Sequence, residues 1–129
     1  MPINELIRVA LTQYGAFLSQ AEMLCKQQDH SSDPTRQKHI ESIETKLAIL
    51  HCWLQLLNVD ERFVIEKHVI DGLDWPRVSY AFAERWGQEF IRTERSLQRY
   101  HRNAMEKMRA FSDDHSDVIL PLFSTEGDE

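Results

Sequence analysis

Six apolar residues, Ile40, Ile43, Leu47, Leu50, Leu54 and Leu57, follow one another at steps of three and four. That spacing holds side chains on one stripe of an α-helix, whereas a strand would throw successive members onto opposite faces. It predicts a helix from about Pro34, a residue suited to a first helical turn, to about Leu57. An earlier seam has Ile3, Ala10, Phe17 and Leu24 at intervals of seven, with Ile7, Tyr14 and Ala21 four places behind. It predicts a helix over 3–28, although Gly15 in its middle costs about 1 kcal/mol relative to alanine. Between the two, "DHSSDP" at 29–34 is rich in turn formers. Residues 1–57 are therefore expected to form an antiparallel helical hairpin. Either both seams close one monomeric core, or the second helix also pairs with another copy. Trp53, Leu56 and Ile49, off the main seam, would line that homodimer surface. No β-type alternation persists anywhere, so the expected fold is all-α.

Three shorter helices follow. Asp60 is the expected N-cap of the first, with Glu61 behind it, and Gly72 stands where a left-handed C-cap belongs. Asp74 caps the next, with Trp75 and Pro76 in its first turn; Val78, Ala81, Phe82 and Trp86 form its apolar face and Gly87 ends it. Thr93 caps the last, expected to reach about Phe111.

Charge is distributed unevenly. The chain carries a net −6, but residues 75–111 hold 8 basic against 4 acidic side chains, while residues 112–129 hold 6 acids and no base. A basic segment inside an acidic chain is what matters for a binding footprint. Stepping about 100° per residue from Leu97 brings Ala104 and Met108 back to within roughly 20° of it and His101 to within roughly 40°. Arg95, Arg99 and Arg102 fall on the far side, with Gln98 at its margin. A basic helix behind two helices split by a glycine-containing turn is the helix-turn-helix pattern, and it predicts double-stranded DNA as the partner. Arginine reaches guanine O6 and N7 together, and glutamine pairs with adenine. Arg95 and Gln98 occupy the first turns, where a recognition helix meets base edges. The amides beside Thr93 suit a phosphate, and Arg92, Arg77 and Arg109 suit backbone contacts that position without specifying. The alternative is a solvated face whose arginines pair with Glu89, Glu94 and Glu106.

The segments "ERFVIEKHVIDGLDWPRV" and "TERSLQRYHRNAMEKM" resemble region 4 of bacterial sigma-70-type factors. The matching positions are Glu61, Arg62, Gly72, Leu73, Asp74 and Trp75, then Thr93, Ser96, Leu97, Arg99 and Ala104. The similarity covers residues 58–109. The six residues from Gly87 to Arg92 make a longer turn than the roughly 3–4 of a tight helix-turn-helix. A full sigma factor's promoter-melting portion is not expected either. Both features make the chain similar to the small ArpU/RinA-type phage late-gene regulators, which carry a sigma-region-4-like module on a helical amino-terminal piece. The resemblance implies a helix-turn-helix domain over 58–111 and a transcription regulator acting at promoters with host RNA polymerase. The competing expectation is a phage packaging component like a terminase small subunit, which also joins helix-turn-helix units to helical oligomerisation segments.

The remaining motifs point to little chemistry. His51 and Cys52 are adjacent, about 100° apart on a helix, with no further His or Cys one turn away, so no metal site is expected. No nucleophile–base pair, phosphate loop or paired carboxylates stand out, so no enzyme and no cofactor is expected. Two isolated cysteines, no apolar run near the roughly 18 residues of a membrane span and no secretory signal predict a cytoplasmic protein. Residues 112–129 combine acids with an apolar island, Val118 to Phe123, and are expected to be a mostly disordered tail whose island packs loosely on the domain. The alternatives are that its acids compete for the arginine face, or that the island docks on polymerase.

Overall fold

The computed structural model describes residues 2–27, 34–87 and 92–124, and every regular element among them is helical. The order is α1 (Ile3–Thr12), α2 (Tyr14–Gln27), α3 (Pro34–Gln55), α4 (Val59–Val64) running directly into a π-helical segment (Ile65–Ile70), α5 (Trp75–Trp86), α6 (Glu94–Asp114) and α7 (Ser116–Ser124). Among the described residues, no helix is long and apolar enough to cross a membrane.

The first expected helix is divided. At Gln13 the backbone reaches φ −88° and ψ 3°, and its amide is shared between the carbonyls of Val9 and Ala10 at 3.2 and 3.1 Å. The Thr12 hydroxyl donates back to the Arg8 carbonyl at 2.8 Å, a bond that competes with the ladder and bends helices. Gly15, the suspected weak point, lies inside α2 and has no positive φ. The seam itself is used: Ile7, Ala10 and Phe17 are buried, and Ile3, Tyr14, Ala21 and Leu24 pack at the margin. Most of the predicted turn at 29–34 lies outside the described residues.

Two apolar clusters organise the molecule. The larger takes Leu6, Ile7 and Leu11 from α1, Leu50, Trp53 and Leu54 from α3, Ile65 and Val69 from the π-helical segment, Ala104 and Met108 from α6, and Ile119 from α7. The smaller gathers Val64, Val78, Phe82 and Leu97, with Phe63, Trp75, Trp86 and Tyr100 around it. Val64 and Ile65 are neighbours in sequence yet serve different clusters, because adjacent helical side chains diverge by about 100°. That explains the apolar run "FVI": the helix is covered on two sides. α6 supports both clusters with one stripe, Leu97 in the smaller and Ala104 and Met108 in the larger.

Three expectations are corrected. Trp53 is fully buried; its indole donates to the Ser112 hydroxyl at 2.9 Å and its ring stacks on Phe123 with centroids 5.7 Å apart. It cannot face a second copy, since α7 occupies that side. Ile49 is half-buried against the same cluster, leaving Leu56 exposed. The cap of α4 is Asn58 rather than Asp60: the Asn58 side chain accepts from the Glu61 amide at 2.8 Å, and the Glu61 carboxylate accepts from the Asn58 amide at 3.1 Å. Glu61 can face inward because that same carboxylate also takes Lys107 Nζ at 2.7 Å, tying α4 to α6. Finally, residues 112–124 are helical rather than mostly disordered, and the island packs on the domain, while 125–129 lie outside the described residues. Ser112 and Ile119 are buried and Phe123 is half-buried, because the apolar island covers the end of the larger cluster and thereby offsets its ordering entropy.

Candidate nucleic-acid interface

The stretch leading into the basic helix is fixed by local chemistry. At the end of the π-helical segment the Asp71 amide donates to the Glu66 carbonyl at 2.9 Å and the Leu73 amide to the Lys67 carbonyl at 3.0 Å. Gly72, at φ +77°, supplies the left-handed residue that lets the chain turn. His68 braces this turn: its Nδ1 donates to the Leu73 carbonyl at 2.8 Å, and its ring lies flat on Trp75, centroids 3.9 Å apart and planes 19° apart. Asp74 then caps α5, accepting from the Arg77 amide at 3.1 Å, with Pro76 in the first turn. Gly87, at φ +100°, ends α5 as expected.

Residues 88–91, most of the predicted turn, lie outside the described residues, but its far end is anchored. The Arg92 carbonyl accepts from the Ser79 hydroxyl at 3.1 Å. The Arg92 guanidinium sits 5.5 Å from the Phe82 ring centroid, and its Nε donates to Tyr100 Oη at 3.3 Å. Half-buried there, Arg92 braces α5 against α6. Thr93 caps α6 as expected: its hydroxyl oxygen accepts from the Ser96 amide at 3.1 Å and donates to Ser96 Oγ at 3.2 Å.

Beyond the cap, α6 has two faces of opposite character. Leu97, Ala104 and Met108 are fully buried. Arg95, Gln98, Arg99 and Arg102 are exposed, the three arginines at i, i+4 and i+7, one above another along the helix. Glu94 and Glu106 make no ion pair with these arginines; Glu89 lies outside the described residues. Arg99 alone has a described partner, the face of Tyr100 at 5.7 Å. Three planar cations in a row, without an acidic partner among the described residues and supported from behind by a packed core, form a surface suited to phosphates and guanine edges.

Arg77 is also exposed, on α5, and Arg109 is exposed near the far end of α6. Tyr80, one turn after Arg77, is 65% exposed, and sequence reasoning passed over it. Its spacing from Arg77 and its place off the Val78–Phe82 stripe were the available signals. A tyrosine hydroxyl there can donate a hydrogen bond to a phosphate. His101 lies half-buried between the two faces, edge-on to Trp75 and His68 at 5.7 and 5.5 Å. Burial, and then the nearby His68, hold its pKa below the usual histidine value. His51, weighed as a metal ligand with Cys52, instead places Nε2 2.6 Å from the Tyr14 hydroxyl.

Compared with known proteins, the chain matches no family model, no curated protein and no solved structure.

Proposed function

We propose that the protein is a sequence-specific DNA-binding transcription regulator of phage or mobile-element type, in which α5 and α6 act as a helix-turn-helix and α6 enters the major groove. The observation that carries this is the exposed row Arg95, Arg99 and Arg102, without an acidic partner among the described residues, on a helix whose opposite side is locked into the core. An isolated basic face is commonly neutralised by neighbouring acids. Among the described residues this one has no acidic partner, in a chain of net charge −6, so it stands against the overall balance.

Residue roles follow from placement. Arg95 and Gln98, in the first turns, meet base edges; Arg99 and Arg102 continue along the groove; Arg77 and Tyr80 on α5 hold the flanking backbone. Arg92 sets the angle between the helices through Phe82 and Tyr100. The sigma-like resemblance makes the bacterial RNA polymerase the partner at promoters, and the cytoplasm the compartment. A homodimer through residues 3–57 would use the exposed Leu56, with Trp53 no longer available to it.

Selection of bound fragments from a random duplex library, followed by gel shifts, tests this. If bidentate to guanine, Arg95→Ala and Arg99→Ala should each cost about 1–3 kcal/mol on the selected site. Selection that converges on no site, or wild-type affinity and specificity in both variants, removes α6 as the reading helix. Solution mass separates the regulator, a monomer or dimer, from a packaging ring of many subunits.

A further inference from the structure

A groove of about 360 Å³ runs between α1 and α6, lined by Asn4, Glu5, Arg8, His101, Arg102 and Met105. Arg102 is common to this groove and to the exposed arginine row, so the positive surface does not stop at α6. It turns the corner onto the first helix, which packs against α6. We propose that this groove is a phosphate subsite, in which Arg8, Arg102 and a protonated His101 hold a backbone phosphate of the duplex that lies along α6. The subsite rests on the DNA-binding function proposed above.

The groups facing His101 set its behaviour. From α1 come Glu5 and Arg8, paired at 2.7 Å and both about half exposed. The π-helical segment supplies His68, whose Nδ1 proton is committed to the Leu73 carbonyl. Next to His68, Lys67 pairs with Asp71 at 3.5 Å. Trp75, from α5, is uncharged, and α6 itself supplies Arg102. In the free protein the two arginines and the single carboxylate leave the groove with a small positive excess, and burial disfavours a further charge on the imidazole. A bound phosphate reverses that balance. It gives His101 an anionic partner, and it competes with Glu5 for an arginine fork of which the described ion pair uses one nitrogen. Binding at the groove therefore takes up a proton, and affinity rises as the pH falls below neutrality.

The test measures affinity for a duplex of roughly 20 base pairs against salt and against pH, where each phosphate contact contributes about 0.9 to the slope of log K on log salt. Arg8→Gln, an exposed change with little bearing on folding, should lower that slope by about 0.9 and weaken binding roughly five- to tenfold near 0.1 M salt. Glu5→Gln should tighten binding. Wild-type affinity should rise severalfold between pH 7.5 and 5.5, and His101→Gln should flatten that rise. An unchanged slope in Arg8→Gln overturns the subsite while leaving α6 as the DNA-reading helix. A wild-type protein that binds no duplex overturns both. Saturable binding of inorganic phosphate, followed through the His101 ring resonances, without duplex binding would assign the groove to a free anion and likewise overturn the proposal.

Discussion

Replacing Ser112 with alanine isolates one contact that decides where the domain ends. Ser112 and Trp53 are both fully buried, and the 2.9 Å bond from the indole nitrogen to the serine oxygen spans 59 positions of sequence. Alanine differs from serine by one oxygen, so no appreciable cavity opens and the apolar packing of α7 is preserved. What remains is an indole N–H, a donor with no acceptor capacity, sealed away from water. Leaving such a group unsatisfied costs about 1–3 kcal/mol, a substantial fraction of the roughly 5–15 kcal/mol that holds a domain folded. Urea unfolding followed by far-UV circular dichroism should show the midpoint falling with m unchanged. The double-mutant cycle sharpens the test. In a Trp53→Phe background the donor is gone, so adding Ser112→Ala should cost close to nothing, giving a coupling of about 1–3 kcal/mol. A single-mutant loss below about 0.5 kcal/mol, or the same loss in both backgrounds, would show that the bond contributes no stability and refute the assignment of residue 112 to the core.

Truncation after Phe111 should be far worse than neutral, since it removes Ser112, Ile119 and Phe123 and bares Trp53 to water; a fall in Tm of many degrees by calorimetry is expected, and an unchanged Tm would return the segment to the status of a tail. Glu61→Ala should cost about 1–2 kcal/mol in urea unfolding, because it removes half of the capping box and the bond that ties α4 to Lys107 on α6. Gly72→Ala meets no steric obstacle within 4 Å, so its cost is conformational, about 1–2 kcal/mol for an L-residue at φ +77°. His101 carries the pH dependence. Its folded pKa lies below the ordinary 6.5, so the unfolded chain binds the proton more readily and stability rises with pH. The contribution is complete above about 6.5 and is lost as the pH falls from there through the lowered folded value. Thermal melts from pH 7 to pH 5 should therefore decline less steeply in His101→Gln than in wild type; parallel declines would assign the effect elsewhere.

The sequence by itself determined the all-helical character, the caps Asp74 and Thr93, the terminating glycines and the two faces of α6. Each of these is decided within a few residues: apolar steps of three and four define a stripe, Asp74 and Thr93 bond amides two or three positions ahead, and Gly72 and Gly87 take backbone angles that other residues resist. Where a single bond shifted a local choice, the expectation missed. Thr12 bending the first helix and Asn58 displacing Asp60 as a cap are of that kind. Only the tertiary structure decided which apolar surfaces cover one another. Trp53 lies off its helix's main seam and Val118–Phe123 sits among acids, so taken separately each suggests an exposed surface or a disordered tail. Brought together, Phe123 stacks on the buried Trp53 and Ile119 is buried in the same cluster. The same holds for Arg92, whose contacts with Phe82 and Tyr100 no local pattern announces, and for the groove lined by both Arg8 and Arg102, 94 positions apart in the chain. Burial depends on partners distant in sequence, and periodicity along one helix carries no record of them.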